Sequence, residues 1–211
     1  MENTEKRILG LLVRYAVYVI LLFFQYLLLT YVILPENWSF SENGIIECIQ
    51  LALLFLLCIA LAVNSLIFVH VRKVLLLLLS CSVLALAREL DKILDKCIPF
   101  FGWQAVFLLL VPVILLQFRN WRELRRQLVQ FIPCPAMGIF LTAIIVIIPL
   151  AQCLGDGDYL RAAMGDDYIR KYKTLFEESM ELYGYLLLLC GALETTLFAR
   201  QCCKDEKWPV P

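Results

Sequence analysis

Glu177-Glu178-Ser179-Met180-Glu181-Leu182-Tyr183-Gly184-Tyr185 opens the last strongly apolar segment of the chain, which runs on through Gly191 to Glu194. At about 100° per residue on an α-helix, Glu177, Glu181, Gly184, Leu188, Gly191 and Thr195 fall on one stripe, so acids and glycines share a face. Glycines so placed let a second helix approach closely, which predicts that this face looks into a helix bundle. Ionisable groups on such a face are candidate functional groups.

The composition around this segment is that of a membrane protein. Hydrophobic residues make up 62% of 211 positions and the mean hydropathy is +0.79, more than a soluble domain of this length needs. The expected fold is therefore all-α, a polytopic membrane helix bundle forming a single integral membrane domain over residues 1–211, with the lipid bilayer as its surroundings. A net charge of zero and a pI near 6.6 provide no basic face, so nucleic-acid binding is excluded. No small-residue cleavage site follows the short polar start, and the first apolar segment is expected to remain as an anchor.

Six spans are expected, since about 20 apolar residues cross the hydrocarbon. They lie near residues 16–34, 45–69, 74–94, 103–118, 136–154 and 179–198. The third has only 14 uninterrupted apolar residues and must continue through Arg88-Glu89-Leu90-Asp91; the fourth carries Pro112 and is also short. A re-entrant pair of half-helices is the alternative for these two. Arg119, Arg122, Arg125 and Arg126 form a basic link to the fifth span. In the loop 155–176, Asp158 is expected to cap a short turn ended by Gly165, and Asp166 or Asp167 to cap a helix running straight into the sixth span. Most basic residues fall on the side of the two termini and most acids on the other, so both termini should be cytoplasmic.

That topology brings acids from three helices to one depth: Glu47 on the second span, Glu89 and Asp91 at the end of the third, and Glu177, Glu178 and Glu181 at the start of the sixth. Together they are the candidate cation- or proton-binding residues. Carboxylates this close repel one another unless protonated, paired or bridged, so Arg88 is the expected internal counter-ion. Oxygen ligands without histidine suit a hard divalent cation such as Mg²⁺, Ca²⁺ or Mn²⁺, for which Glu47, Glu89 and Glu181 are the candidate ligands. The alternative is a solvated acidic mouth, partly neutralised by Arg88, Lys92, Arg170 and Lys171, that holds helix ends together. Glu194 is expected to pair with Arg200 or Lys73, or else to extend a proton path from Glu181. Asn64 and Ser65 read as interhelical hydrogen-bonding groups, and His70 as a solvated turn residue.

Nine cysteines stand at unrelated spacings with no C-x-x-C, and with a single histidine they make no zinc pattern. Cys202-Cys203, beside basic residues at the end of the last span, reads as two unmodified thiols, with acylation the alternative. Serine-nucleophile, phosphate-loop and H-E-x-x-H signatures are absent.

Three short pieces carry a resemblance: Glu42-Asn43-Gly44 with Glu47 and Gln50; Arg88-Glu89-Leu90-Asp91 with Trp103-Gln104; and Glu177-Glu178 with Glu181, Leu182, Gly184, Tyr185 and Glu194. In these the chain resembles a family of uncharacterised bacterial inner-membrane proteins with about six helices. The resemblance implies a bacterial inner membrane and a shared group of carboxylates, and no activity. The abundance of cysteine and the polar insertion at 155–158 depart from it.

Three function classes follow: a small transporter or channel-like protein binding a cation or proton at these acids; an intramembrane metal-dependent enzyme acting on a lipid-linked substrate; and a non-catalytic membrane subunit binding a partner helix, or a second copy in a homo-oligomer, through the Gly184/Gly191 face.

Overall fold

The computed structural model describes residues 2–33, 44–91, 94–95 and 102–204, and these form helices with no strand among them. In chain order the helices are α1 (Glu2–Leu28, closing in a π-helical turn, Leu29–Ile33), α2 (Ile45–Ile67), α3 (Arg72–Glu89), α4 (Gly102–Phe118), α5 (Trp121–Phe131), α6 (Pro135–Ile145), α7 (Gly157–Met164) and α8 (Arg170–Lys204). α6 continues through a π-helical turn, Val146–Leu150, into a last α-helical turn, Ala151–Leu154. The π turn contains Pro149, whose missing N–H removes one i→i−4 bond and lets the backbone widen there.

Among the described residues five helices are long and apolar enough to cross a membrane, or six if the sharply bent pair α4 and α5 counts as one span. The bend between those two is 90°. It falls after the fourth apolar segment, whereas the third, Val69–Glu89, is long and apolar enough to span by itself. The basic link 119–126 is no plain loop, because most of it belongs to α5. Leu124, Gln127 and Phe131 recur at helical spacing and are buried, while Arg122, Arg125 and Arg126 stay exposed.

α5 is held against the turn between α2 and α3. The backbone N–H groups of Lys73 and Val74 donate to Gln127 Oε1 at 2.9 and 3.4 Å, so a side chain from another helix satisfies donors that the first turn of α3 cannot satisfy itself. Gln127 Nε2 donates in turn to Glu123 Oε1 at 3.2 Å, and Lys73 Nζ pairs with Glu123 Oε2 at 3.6 Å.

α8 is the axis of the bundle. Gln50 and Asn64 of α2 meet Glu178 and Thr196 of α8 in the same order, so these two helices run parallel. Arg14 of α1 meets Glu194, while Leu29, at its far end, clusters with Leu182. α1 therefore runs antiparallel to α8, and the start of α1 and the end of α8 lie at one end of the bundle. α6 is also antiparallel, with Phe140 beside Gly191 and Ile147 beside Gly184. A Cβ on Gly184 would collide with Ile147 Cγ1, and one on Gly191 would stand 3.1 Å from Phe140 Cε1. The glycine face is thus already filled by α6 of the same chain. Where hydrocarbon surrounds the helices, apolar burial distinguishes packed from unpacked states poorly, so such close seams and interhelical hydrogen bonds hold them together. Asn64 Nδ2 to Thr196 Oγ1, at 2.8 Å, is one; Ser65 instead donates to Ala62 O of its own helix.

The polar insertion between α6 and α8 forms a further helix. Asp156, not Asp158, caps α7, accepting from the N–H groups of Asp158 and Tyr159. Gly165 ends it at φ +60°, a conformation that glycine adopts without penalty. Asp166 and Asp167 lie in a 3₁₀ turn rather than capping the next helix, which begins at Arg170. From there α8 runs without interruption into the last apolar segment, as the spacing of Tyr168, Tyr172, Leu175 and Ser179 suggests.

Candidate functional site

Two polar groups hang from α8, and each combines a glutamate, an arginine and a tyrosine. The first forms where the charged end of α3 lies beside the fourth and fifth turns of α8. Arg88 Nη2 donates to Glu181 Oε1 at 2.9 Å and to Glu89 Oε1 at 3.0 Å. Tyr185 OH donates to the same Glu89 oxygen at 2.6 Å and accepts from Arg88 Nη2 at 3.4 Å. Tyr185 is 1% exposed, so its hydroxyl is committed to this group. Helical geometry brings the parts together, since Glu178, Glu181 and Tyr185 fall within about 60° of one another on α8.

One turn back along α8, Glu178 meets α2. Gln50 Nε2 donates to Glu178 Oε2 at 2.9 Å and to Glu178 O at 3.2 Å. Gln50 is fully buried, and its Oε1 has no hydrogen-bond partner among the described residues. Glu178 lies within electrostatic reach of Glu181, Glu89 and Glu47, and Glu181 within reach of Glu177. Glu177 itself pairs with Lys173 at 3.6 Å. Its side chain crosses Gly155, where a Cβ would collide with it.

Five of the six expected acids are therefore neighbours. Asp91, which follows the end of α3 at Leu90, makes no hydrogen bond or ion pair into the group among the described residues. Arg88 is the counter-ion, as its position suggests, but it serves two carboxylates through one nitrogen. Among the described residues no three His, Cys, Asp or Glu side chains are gathered as a metal centre, so Glu47, Glu89 and Glu181 do not converge as ligands in this arrangement. Lys92, Glu42 and Asn43 lie outside the described residues, as do the side chains of Trp103, Cys202 and Cys203.

The second group surrounds Glu194, which is 2% exposed. Its Oε1 accepts from Arg14 Nε at 2.7 Å and from Tyr18 OH at 2.9 Å. The partner expected from sequence, Arg200 or Lys73, is replaced by a residue of α1 far away in the chain. Roughly 13 Å of helix separates Tyr185 from Glu194, and that interval packs Leu188, Leu189 and Ala192 into the apolar core with Leu54, Leu57 and Leu61. No hydrogen-bonded path joins the two groups among the described residues.

An apolar cleft of about 480 Å³ opens between α3, α6 and α8, and Arg88 and Tyr185 are among the residues that line it. Ser82, also on its wall, turns its hydroxyl to Leu78 O of its own helix. Residue types alone point to neither Tyr185 nor the cleft. The one available signal is that Tyr185 follows Glu181 by a single turn, on the same face. Compared with known protein families, curated proteins and solved structures, the chain has no match.

Proposed function

We propose that this chain is an integral membrane protein of about six spans with both termini cytoplasmic, and that the acids around Arg88 bind a cation or a proton, as in a small transporter or channel-like protein. One observation carries this: a single arginine nitrogen serves Glu89 and Glu181 while Glu178, one turn away, meets only the amide of Gln50 among the described residues. Among the described residues the carboxylates outnumber the one guanidinium there, and a proton or a cation would correct that. All the donors are oxygens, which suits hard cations. The resemblance noted above adds a bacterial inner membrane as the expected location. The apolar core between Glu181 and Glu194 favours a binding station over an open conduit.

Titration calorimetry of chelator-treated protein with Mg²⁺, Ca²⁺ and Mn²⁺, run in two buffers of different ionisation enthalpy, tests this. Uptake of a cation with release of protons, lost in Glu181→Gln, is expected. The proposal fails if neither cation uptake nor proton release differs between wild type and variant. The orientation has its own test. Cysteines introduced into α7 should label from outside the cell and those introduced at 119–126 should not; the reverse pattern would turn the acidic group inward.

A further inference from the structure

α4 carries no charged residue, and the chain bends by 90° between it and α5. With α4 crossing the hydrocarbon, α5 runs along the membrane plane. Phe118 and Trp121 stack across the bend with ring centroids 5.9 Å apart, and tryptophan is enriched where membrane meets water. We infer that α5 lies flat in the surface of the bilayer and that its arginine face binds the head groups of anionic lipids. The inference takes from the proposed function only that a membrane surrounds the bundle, and it is independent of the cation site.

α5 has four sides, and each suits a different surrounding. Leu124, Gln127 and Phe131 fall within about 60° of one another and are buried against the bundle. Roughly opposite stand Arg122, Arg125 and Arg126, all exposed, with Arg119 at the bend before the helix. About 90° from both sides runs an apolar stripe, Trp121, Leu128 and Ile132, in which Trp121 and Ile132 are more than half exposed. The remaining side carries Glu123 and Gln130. A helix with protein on one flank, hydrocarbon beneath and water above has one direction left for its arginines, along the head-group layer. None of the four arginines forms an ion pair among the described residues, and Glu123, the one acid of α5, is engaged by Lys73 and Gln127. Basic residues are drawn to an anionic leaflet, and the planar guanidinium matches the geometry of a phosphate. The apolar stripe adds burial in the acyl boundary. A nucleic acid or an acidic protein would satisfy the arginines but would leave Trp121 and Ile132 without hydrocarbon.

Quenching of Trp121 by brominated lipid tests this, in protein carrying Trp38→Phe, Trp103→Phe and Trp208→Phe so that Trp121 is the one tryptophan left. The protein is reconstituted in vesicles of phosphatidylcholine and phosphatidylglycerol in equal parts, one of the two brominated, and its flotation with the vesicles is checked first. Brominated phosphatidylglycerol should quench Trp121 several-fold more than brominated phosphatidylcholine, and added salt should shrink that preference. Arg119→Gln, Arg122→Gln, Arg125→Gln and Arg126→Gln together should bring the two lipids to parity. Lysines at the same four positions keep the charge and should keep the preference, so a misfolded glutamine variant does not decide the matter. Equal quenching by the two lipids with the arginines in place would overturn the inference, as would a preference that survives the glutamines. Absence of quenching by either lipid would put α5 in water, where its arginines would face a soluble acidic partner. Loss of the preference on adding glycerol phosphate would make the face a phosphate site and not a lipid one. Protein that does not float with the vesicles would contradict the membrane reading on which the inference rests.

Discussion

The two ends of α8 carry nearly the same parts in different proportions. At one end Glu194 has one arginine and one tyrosine to itself, and every charge is matched. At the other, Arg88 serves Glu89 and Glu181 together, Tyr185 adds a bond to Glu89, and Glu178 is held only by an amide among the described residues. A matched buried pair is complete and needs nothing further, so its use is mechanical. Most of α1 is exposed and apolar, and Arg14 and Tyr18, near its middle, bond it to the bundle. An unmatched group has spare capacity, which is what a binding site requires. Arginine and glutamate buried together are thus not in themselves a sign of function; the proportion decides.

Breaking the matched group should produce the largest effect. Arg14→Met leaves Glu194 buried without its charge partner, and removing one member of a buried pair costs about 3–5 kcal/mol. Denaturant unfolding in mild detergent should show that loss, and Arg14→Met with Glu194→Gln together should recover much of it. If the single variant is as stable as wild type, α1 is held by something other than this pair.

Gly184→Leu comes next. It places a side chain where Ile147 already stands, so overpacking should cost about 1–3 kcal/mol. Because the disturbed seam adjoins Tyr185, cation uptake should weaken with it, whereas α1 should remain docked. Unchanged stability would mean that α6 yields at this seam without cost.

The smallest effect is expected from Tyr185→Phe. The substitution removes the hydroxyl that bridges Arg88 and Glu89 but keeps the ring, and a hydrogen bond to a charged acceptor contributes about 1.5–3 kcal/mol at most. Glu89 keeps Arg88, so a loss near 1 kcal/mol is expected, with a greater fractional effect on cation uptake than on the unfolding midpoint. The opposite ratio would make Tyr185 a packing residue only.

Much of this arrangement was legible in residue order. Runs of about 20 apolar residues located the long helices, and Gly184 with Gly191 marked the seam that α6 fills. That Glu89, Glu178 and Glu181 would be neighbours followed from counting turns, as did the pairing of Arg88 with Glu89 and Glu181. Three things were not legible, each for a physical reason. The partner of Glu194 lies 180 residues away on α1, and sequence spacing says nothing about which distant helix will be a neighbour. α5 was hidden because its arginines read as a link, although Leu124, Gln127 and Phe131 at helical intervals carried the signal; only the fold shows that Gln127 serves as a cap for α3. That Asp91 makes no hydrogen bond or ion pair with the group among the described residues was not legible either, because residue order gives its helical turn and not which groups its short side chain meets.

The difference between the two ends of α8 is tested most directly by the cation response of the thermal midpoint in Glu181→Gln and Glu194→Gln, measured side by side with wild type after chelator treatment. A ligand at about 100 times its dissociation constant stabilises the folded state by roughly 2.7 kcal/mol, which a melting curve resolves. The charge balance described here predicts that wild type and Glu194→Gln both gain stability when the cation is added, Glu194→Gln from a lower starting point, and that Glu181→Gln gains nothing. A full response in Glu181→Gln, or its loss in Glu194→Gln, would contradict it.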